Sequence, residues 1–392
     1  MIISLRLKNF FSIRDNAVLD FTADVKSKKQ KDYLPENLIE FDGDKFINII
    51  GLFGSNAAGK SNLIKALDFC RRLILTSHQN NEGYKFDFEP FKFDKNQPSE
   101  FGINFVNDGV EYEYSFTLLD GKVWEENLYH FPNKRRARIF SRENYSEYTF
   151  TKGIIQRPKE VEAATGDTTL FLSRASSMNR PVAQAIYRYF LNEISIGLDN
   201  IALSDINPAM LEANKALILK AFEVSDSDIT DIQMIESTPG QYQLRSYHRE
   251  NPGIAFNFEK EESDGTKRLL LLIMTLLTKP TPGTTFFLDE FDLKLHLRLA
   301  EFLLDVVRAT HNLQMVFTSH NPLLIETTKL RLEQIVIVNK QSDGNSEFIP
   351  LCDYEGINKR TDIQKAYLQG RFDGVPYTGD AYMMISDILG EL

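Results

Sequence analysis

Phe46-Ile47-Asn48-Ile49-Ile50-Gly51-Leu52-Phe53 runs directly into Gly54-Ser55-Asn56-Ala57-Ala58-Gly59-Lys60-Ser61, and this junction decides the fold. The first half is an almost unbroken apolar run beside a glycine, the pattern of a strand buried on both faces. The second half fits G-x-x-x-x-G-K-[ST] at every position, and after it Leu63, Ile64, Leu67, Leu73 and Ile74 recur at helical spacing. A glycine loop between a buried strand and a helix is the setting in which this motif holds phosphate. The glycines let the backbone curl so that successive N–H groups point at phosphate oxygens, and the helix adds its positive end. Lys60 then reaches the β- and γ-phosphates, and Ser61 offers a hydroxyl to Mg²⁺. Gly54, Ser55, Asn56, Ala57, Ala58, Gly59, Lys60, Ser61 and the following Asn62 are the candidate nucleotide-binding residues, and ATP with Mg²⁺ is the expected cofactor pair.

Outward from this loop, a second apolar strand, Thr284 to Leu288, ends in Asp289 and Glu290. Asp289 would orient Mg²⁺ through water, and Glu290 would polarise the attacking water as general base. Upstream, Glu262-Ser263-Asp264-Gly265-Thr266 opens a strongly apolar helix. Ser263 suits its N-cap and Gly265 permits close backbone approach, so this helix start is a candidate anion site. Downstream, His320 follows the apolar strand Gln314 to Thr318, where it could touch the γ-phosphate and sense its loss. The expected catalytic set is Glu290, Lys60 and His320, with Ser61 and Asp289 at the metal. His296 is a candidate for a loop meeting a second subunit, and Gln97 for a sensor between the lobes.

With 392 residues, 42% hydrophobic and 26% charged, the chain can bury a sizeable core in two or three lobes. Its net charge of −10 argues against a whole-surface attraction to nucleic acid. Two basic stretches, Lys26 to Lys31 and Lys134-Arg135-Arg136, are the candidate local nucleic-acid contacts; Phe131 and Phe140 beside the second favour it. Cys70 and Cys352 are the two cysteines, too few for a disulfide framework or a metal spacing, and both read as small buried apolar residues. The alternating N-terminus is not a signal peptide, and no run of about 18 apolar residues could span a membrane, so a cytoplasmic protein is expected.

Phe101 to Phe105, Glu111 to Leu118, Lys122 to His130 and Arg138 to Ser141 read as antiparallel strands. Gly166 to Ile235 is mostly helical in pattern. Strands and helices alternate from Thr266 to Asn339, which implies a mostly parallel sheet covered by helices. The expected fold is α/β: a mixed, mostly parallel sheet carrying the phosphate loop, an antiparallel β lobe and a helical insertion. The expected divisions are residues 1–160, 161–240 for the insertion, and 241–392.

NFFSIRD (9–15), GSNAAGKS (54–61), ESDGT (262–266), FFLDEFDLKLH (286–296) and TSHNPLL (318–324) together resemble an ABC-class, AAA-type ATPase of the SMC-like and OLD-like branch. The chain looks most like small bacterial anti-phage or abortive-infection ATPases, such as the partners of RloB-type nucleases and the ATPase of the PARIS system. The tail AYLQGRFDGVP (366–376) is similar to that group too, and within it Tyr367, Arg371 and Phe372 suit either partner docking or core packing. The resemblance implies a homodimer clamping two ATP molecules, each between one phosphate loop and Ser263–Gly265 of the other copy. It implies a separate effector such as a nuclease, since no Toprim-like carboxylate cluster follows His320. Two alternatives stay open: an ATP-gated DNA clamp in repair, and an ATP-bound scaffold that hardly hydrolyses.

Overall fold

A computed structural model describes the chain except residues 26–32, 82, 198–201, 226, 239, 279–282, 311–312, 327–328, 358–360, 374–384, 387 and 390–392. Strands β1 (Ile2–Lys8) and β2 (Ala17–Asp20) come first, then the hairpin β3 (Leu38–Phe41) and β4 (Asp44–Ile47). β5 (Ile49–Phe53) leads through the glycine loop into helix α1 (Lys60–Thr76). A meander comes next: β6 (Ser99–Asn107), β7 (Val110–Leu119), β8 (Lys122–His130), β9 (Ala137–Glu143) and β10 (Glu147–Phe150). Helices α2 (Pro158–Ala163), α3 (Phe171–Ser177) and α4 (Pro181–Asn192) lead to β11 (Ile194–Ile196) and α5 (Pro208–Val224). Then come β12 (Ile229–Thr238), β13 (Gln241–His248), β14 (Ala255–Asn257), α6 (Phe258–Glu261) and α7 (Asp264–Thr278). The chain continues through β15 (Thr285–Leu288), α8 (Leu297–Ala309), β16 (Gln314–Ser319), β17 (Ile335–Lys340), β18 (Ser346–Pro350) and α9 (Ile363–Leu368).

Two large sheets result. One is antiparallel in the order β10-β9-β8-β7-β6-β1-β2. The other runs β11-β15-β16-β5-β17-β18, parallel throughout except for its edge strand β18. The α/β class therefore holds, with β5 in the interior of the parallel sheet. All five residues of β5 are buried, as are the four of β15 and the six of β16, which is why these strands read as apolar runs without alternation. Alternate side chains separate onto the two faces. Ile50, Leu52, Phe287, Val316 and Val336 join a core with α1, α3, α4 and the antiparallel sheet. Ile49, Phe53, Phe286, Leu288 and Met315 join a second core with α5, α7, α8 and α9. The phosphate-loop helix and the helix opened by Ser263 thus lie on opposite faces of one sheet.

Several expectations need correction. Phe46 to Phe53 is two strands, broken at the buried Asn48, whose amide donates to Glu36 O at 3.1 Å and whose carbonyl accepts from Met315 N at 2.8 Å. The 161–240 segment is not a helical unit apart. Its α3 and α4 complete the first core, and β11 extends the parallel sheet beside β15. The boundary at 240 falls in the turn of the β12–β13 hairpin. Cys70 is buried, but Cys352 is exposed. Tyr367 and Phe372 belong to the second core, which decides between the two readings of these side chains, while Arg371 lies at the surface. Among the described residues no helix is long and apolar enough to cross a membrane.

Candidate functional site

The loop between β5 and α1 is shaped by backbone that other residues would resist. Gly59 has φ +111°, and a Cβ there would sit 2.1 Å from Ser346 Oγ; a Cβ on Gly54 would sit 2.2 Å from Val338 O. Ala57 adopts φ +62° between them. Two serines buttress the curl from behind. Ser346 Oγ lies 2.6 Å from Ala58 O and 2.7 Å from Ser12 Oγ, and Asn62 donates to Ser12 Oγ at 2.7 Å. Asn62, read as a nucleotide contact, is engaged in this buttress.

Lys60 folds back over the loop. Its ammonium donates to Gly54 O (2.8 Å) and Ser55 O (3.0 Å) and lies 3.3 Å from His320 Nδ1. Three protons meet three acceptors, so the charge is satisfied inside the loop. Burial nevertheless lowers its pKa to about 8, against the pull of Asp289 and Glu290. Facing a lysine donor, His320 Nδ1 acts as acceptor and Nε2 carries the proton. Burial, and then the Lys60 charge, hold His320 below its usual pKa, in keeping with a neutral ring.

A chain of hydrogen bonds joins this loop to the carboxylates at the end of β15. Ser61 Oγ donates to Asp289 Oδ1 at 3.0 Å, and Thr318 Oγ1 donates to the same oxygen at 2.6 Å. Thr318 Oγ1 also accepts from Glu290 N at 2.8 Å. Glu290 itself stands at φ +46°, a left-handed conformation that costs a non-glycine residue about 1–3 kcal/mol and persists only where its surroundings over-determine it. The adjoining cleft, about 670 Å³, is bordered by Ser61, Asp289, Phe11, Lys65 and Glu89.

These residues fit a nucleoside triphosphate with Mg²⁺. The curl leaves no room for a side chain at Gly54 or Gly59, Lys60 supplies charge, and the Ser61 hydroxyl stands beside the Asp289 carboxylate. Among the described residues no group of three or more His, Cys, Asp or Glu side chains forms a metal cage.

Ser263 and Gly265 lie apart from this cluster, at the start of α7. Ser263 Oγ accepts from Thr266 N at 3.1 Å, an ordinary N-cap. Gly265 packs against the loop after Glu290, where a Cβ would lie 3.0 Å from Lys294 O. His296 Nδ1 accepts from Arg298 N at 3.3 Å and so caps α8. Gln97 borders a separate cleft with Lys8, Arg14 and Asp94, away from Ser61 and Asp289.

The nucleic-acid candidates fare differently. Lys26 to Lys31 lies outside the described residues. Lys134 pairs with Asp42 (3.3 Å) and Asp44 (3.4 Å), and Arg136 pairs with Glu113 (2.7 Å) while covering the Tyr129 ring. Phe140 is fully buried and cannot stack a base. Lys134 and Arg136 of this basic run are thus engaged by acidic neighbours. Reading the sequence missed Thr318, Ser12 and Ser346. Thr318 stood in the quoted TSHNPLL stretch, but nothing local assigns a threonine to two carboxylate residues on another strand.

The parallel sheet, the curled glycine loop and the carboxylate pair at the neighbouring strand end define a P-loop ATPase domain. The chain belongs to the family described as "AAA domain, putative AbiEii toxin, Type IV TA system", whose model matches residues 49–326, from β5 past His320. No curated protein matches the sequence. Similar solved structures include the SMC head domain from Thermotoga maritima, 15% identical with a TM-score of 0.45, covering 89% of this chain and 98% of that one. Another is the Smc head domain with an extended coiled coil bound to the C-terminal domain of ScpA, from Pyrococcus furiosus, 15% identical with a TM-score of 0.41, covering 95% and 99%. A third, the SmcHead bound to the C-winged helix domain of ScpA, is 15% identical with a TM-score of 0.44, covering 89% and 96%.

Proposed function

We propose that the protein binds and hydrolyses ATP between two copies of itself, and that its nucleotide state controls a separate effector, such as a nuclease, in anti-phage defence. The observation that carries the ATPase reading is the continuous path Ser61–Asp289–Thr318–Glu290, with His320 against Lys60 at its other side. Lys60 binds the β- and γ-phosphates, exchanging its loop carbonyls for phosphate oxygens. Ser61 and Asp289 hold the metal, which when bound neutralises charge on the phosphates. Glu290 accepts a proton from the attacking water, and neutral His320 donates from Nε2 to the γ-phosphate.

The dimer is supported by the placement of α1 and α7 on opposite faces of the sheet. A phosphate on the α1 side would be completed by the Ser263–Gly265 helix start of another copy. Ser263 is exposed, as that requires. The family's description names a putative toxin of a Type IV TA system; the separate effector rests on the resemblance to anti-phage ATPases alone.

Turnover of MgATP by the purified chain, cut to a small but measurable residue in Glu290→Gln while binding persists, is the test. Binding without wild-type turnover would leave the scaffold alternative standing. Co-purification from the native cell, identified by mass spectrometry, tests for the effector.

A further inference from the structure

Arg268 lies in the second turn of α7, far in sequence from the carboxylate strand, and no motif singles it out. Its guanidinium Nη2 donates to Glu290 O at 2.7 Å. The peptide flanks of Glu290 are therefore held from both ends. Its N–H is taken by Thr318 Oγ1 at 2.8 Å and its carbonyl by Arg268. The next residue is fixed as well: Phe291 N donates to Thr318 O at 3.1 Å, and the Phe291 ring is fully buried in the second core.

This grip matters because Glu290 is left-handed, φ +46°. A glutamate released from such a conformation relaxes toward ordinary backbone, and its Cα–Cβ bond swings with it. The carboxylate would then leave the position from which it can take a proton. Two further contacts join the same pair of segments. Lys294 Nζ meets Asp264 Oδ2 at 2.8 Å, and Gly265 lies against Lys294 O with no room for a side chain to spare. The first turns of α7 and the loop Glu290–Lys294 are thus joined at three places.

We propose that Arg268 is a positioning residue for Glu290. It fixes the direction of the base by holding its carbonyl, and it makes that direction depend on the placement of α7. This rests on the ATPase reading above. Because the start of α7 is the surface offered to a sister copy's phosphate, engagement there is passed within one chain to its own Glu290.

The test compares wild type, Arg268→Ala, Arg268→Lys and Arg268→Gln, each alone and with Glu290→Gln. Absence of wild-type turnover would fail the ATPase reading itself, and is thereby separable from any effect of Arg268. With wild-type turnover present, Arg268→Ala is expected to keep MgATP affinity within about twofold and to lower kcat by about 100-fold, as for a reacting group displaced by roughly an ångström. Lys, whose ammonium can still reach a carbonyl, restores most of the rate; Gln carries the test if Ala does not fold. Combined with Glu290→Gln, the Arg268 substitution costs nothing further, because both act on one base. Unchanged kcat in both Arg268→Ala and Arg268→Gln, or losses that add to those of Glu290→Gln, would overturn the proposal.

Discussion

Lys60 is buried among carbonyls that satisfy its protons yet leave its charge short of solvent, and this has a measurable consequence. Its pKa falls from 10.5 to about 8. A triphosphate in the loop favours the charged form and pulls that value up again. Binding above about pH 8 must therefore take up a proton, whereas below it Lys60 is already charged. The dissociation constant for MgATP is expected to be flat from pH 6.5 to 7.5 and then to rise toward tenfold per pH unit, the limit for one linked proton. Calorimetry in buffers of different ionisation enthalpy reads the uptake directly. A dissociation constant that stays level up to pH 9.5 would contradict the buried placement of this amine.

Between elements, the hairpin β12–β13 is tied to the start of α7 by His248. Its Nδ1 lies 2.8 Å from Asp228 and its Nε2 2.9 Å from Glu262, the residue just before Ser263. Burial opposes charge on this ring, but the hydrogen bonds to the two carboxylates outweigh it and raise the pKa above 6.5. A raised histidine pKa stabilises the fold fully below the unfolded value and loses that contribution as pH rises through the folded one. His248→Gln is thus expected to lower the thermal midpoint clearly at pH 6 and hardly at pH 9; an equal drop at both would refute the charged bridge. Such ties also explain how much of the molecule was legible in its sequence. The glycine loop and the Asp289–Glu290 strand end could be read because their chemistry is local, a buried strand meeting a turn. The break at Asn48 could not, because it depends on Glu36 and on Met315 of a distant strand. The three residues of β11 carry too short a pattern to separate from the end of α4. Arg268 and Thr318 gain their roles only when α7, β15 and β16 are brought together. The basic run at Lys134 looked free because its partners, Asp42, Asp44 and Glu113, come from other elements.

At the scale of the whole molecule, one sheet divides the phosphate loop from the helix that opens at Ser263. α1 packs into the core shared with the antiparallel sheet, and α7 packs into the other. In the pairing proposed above, a single copy would present two half-sites and a two-fold pair would form two whole ones. The proposed pairing predicts complementation. A Lys60→Ala copy lacks a phosphate grip but retains its α7 start; a Ser263→Arg copy retains the grip but blocks the phosphate of its sister. Each alone should be nearly inactive. Mixed in equal amounts, half of the dimers would contain one copy of each, and each such dimer would have one intact site of two. The mixture is expected to recover about a quarter of wild-type turnover if pairing is two-fold and random. Turnover no greater than the sum of the separate variants would mean that each copy completes its own site, and the division of labour between the two faces of the sheet would have to be abandoned.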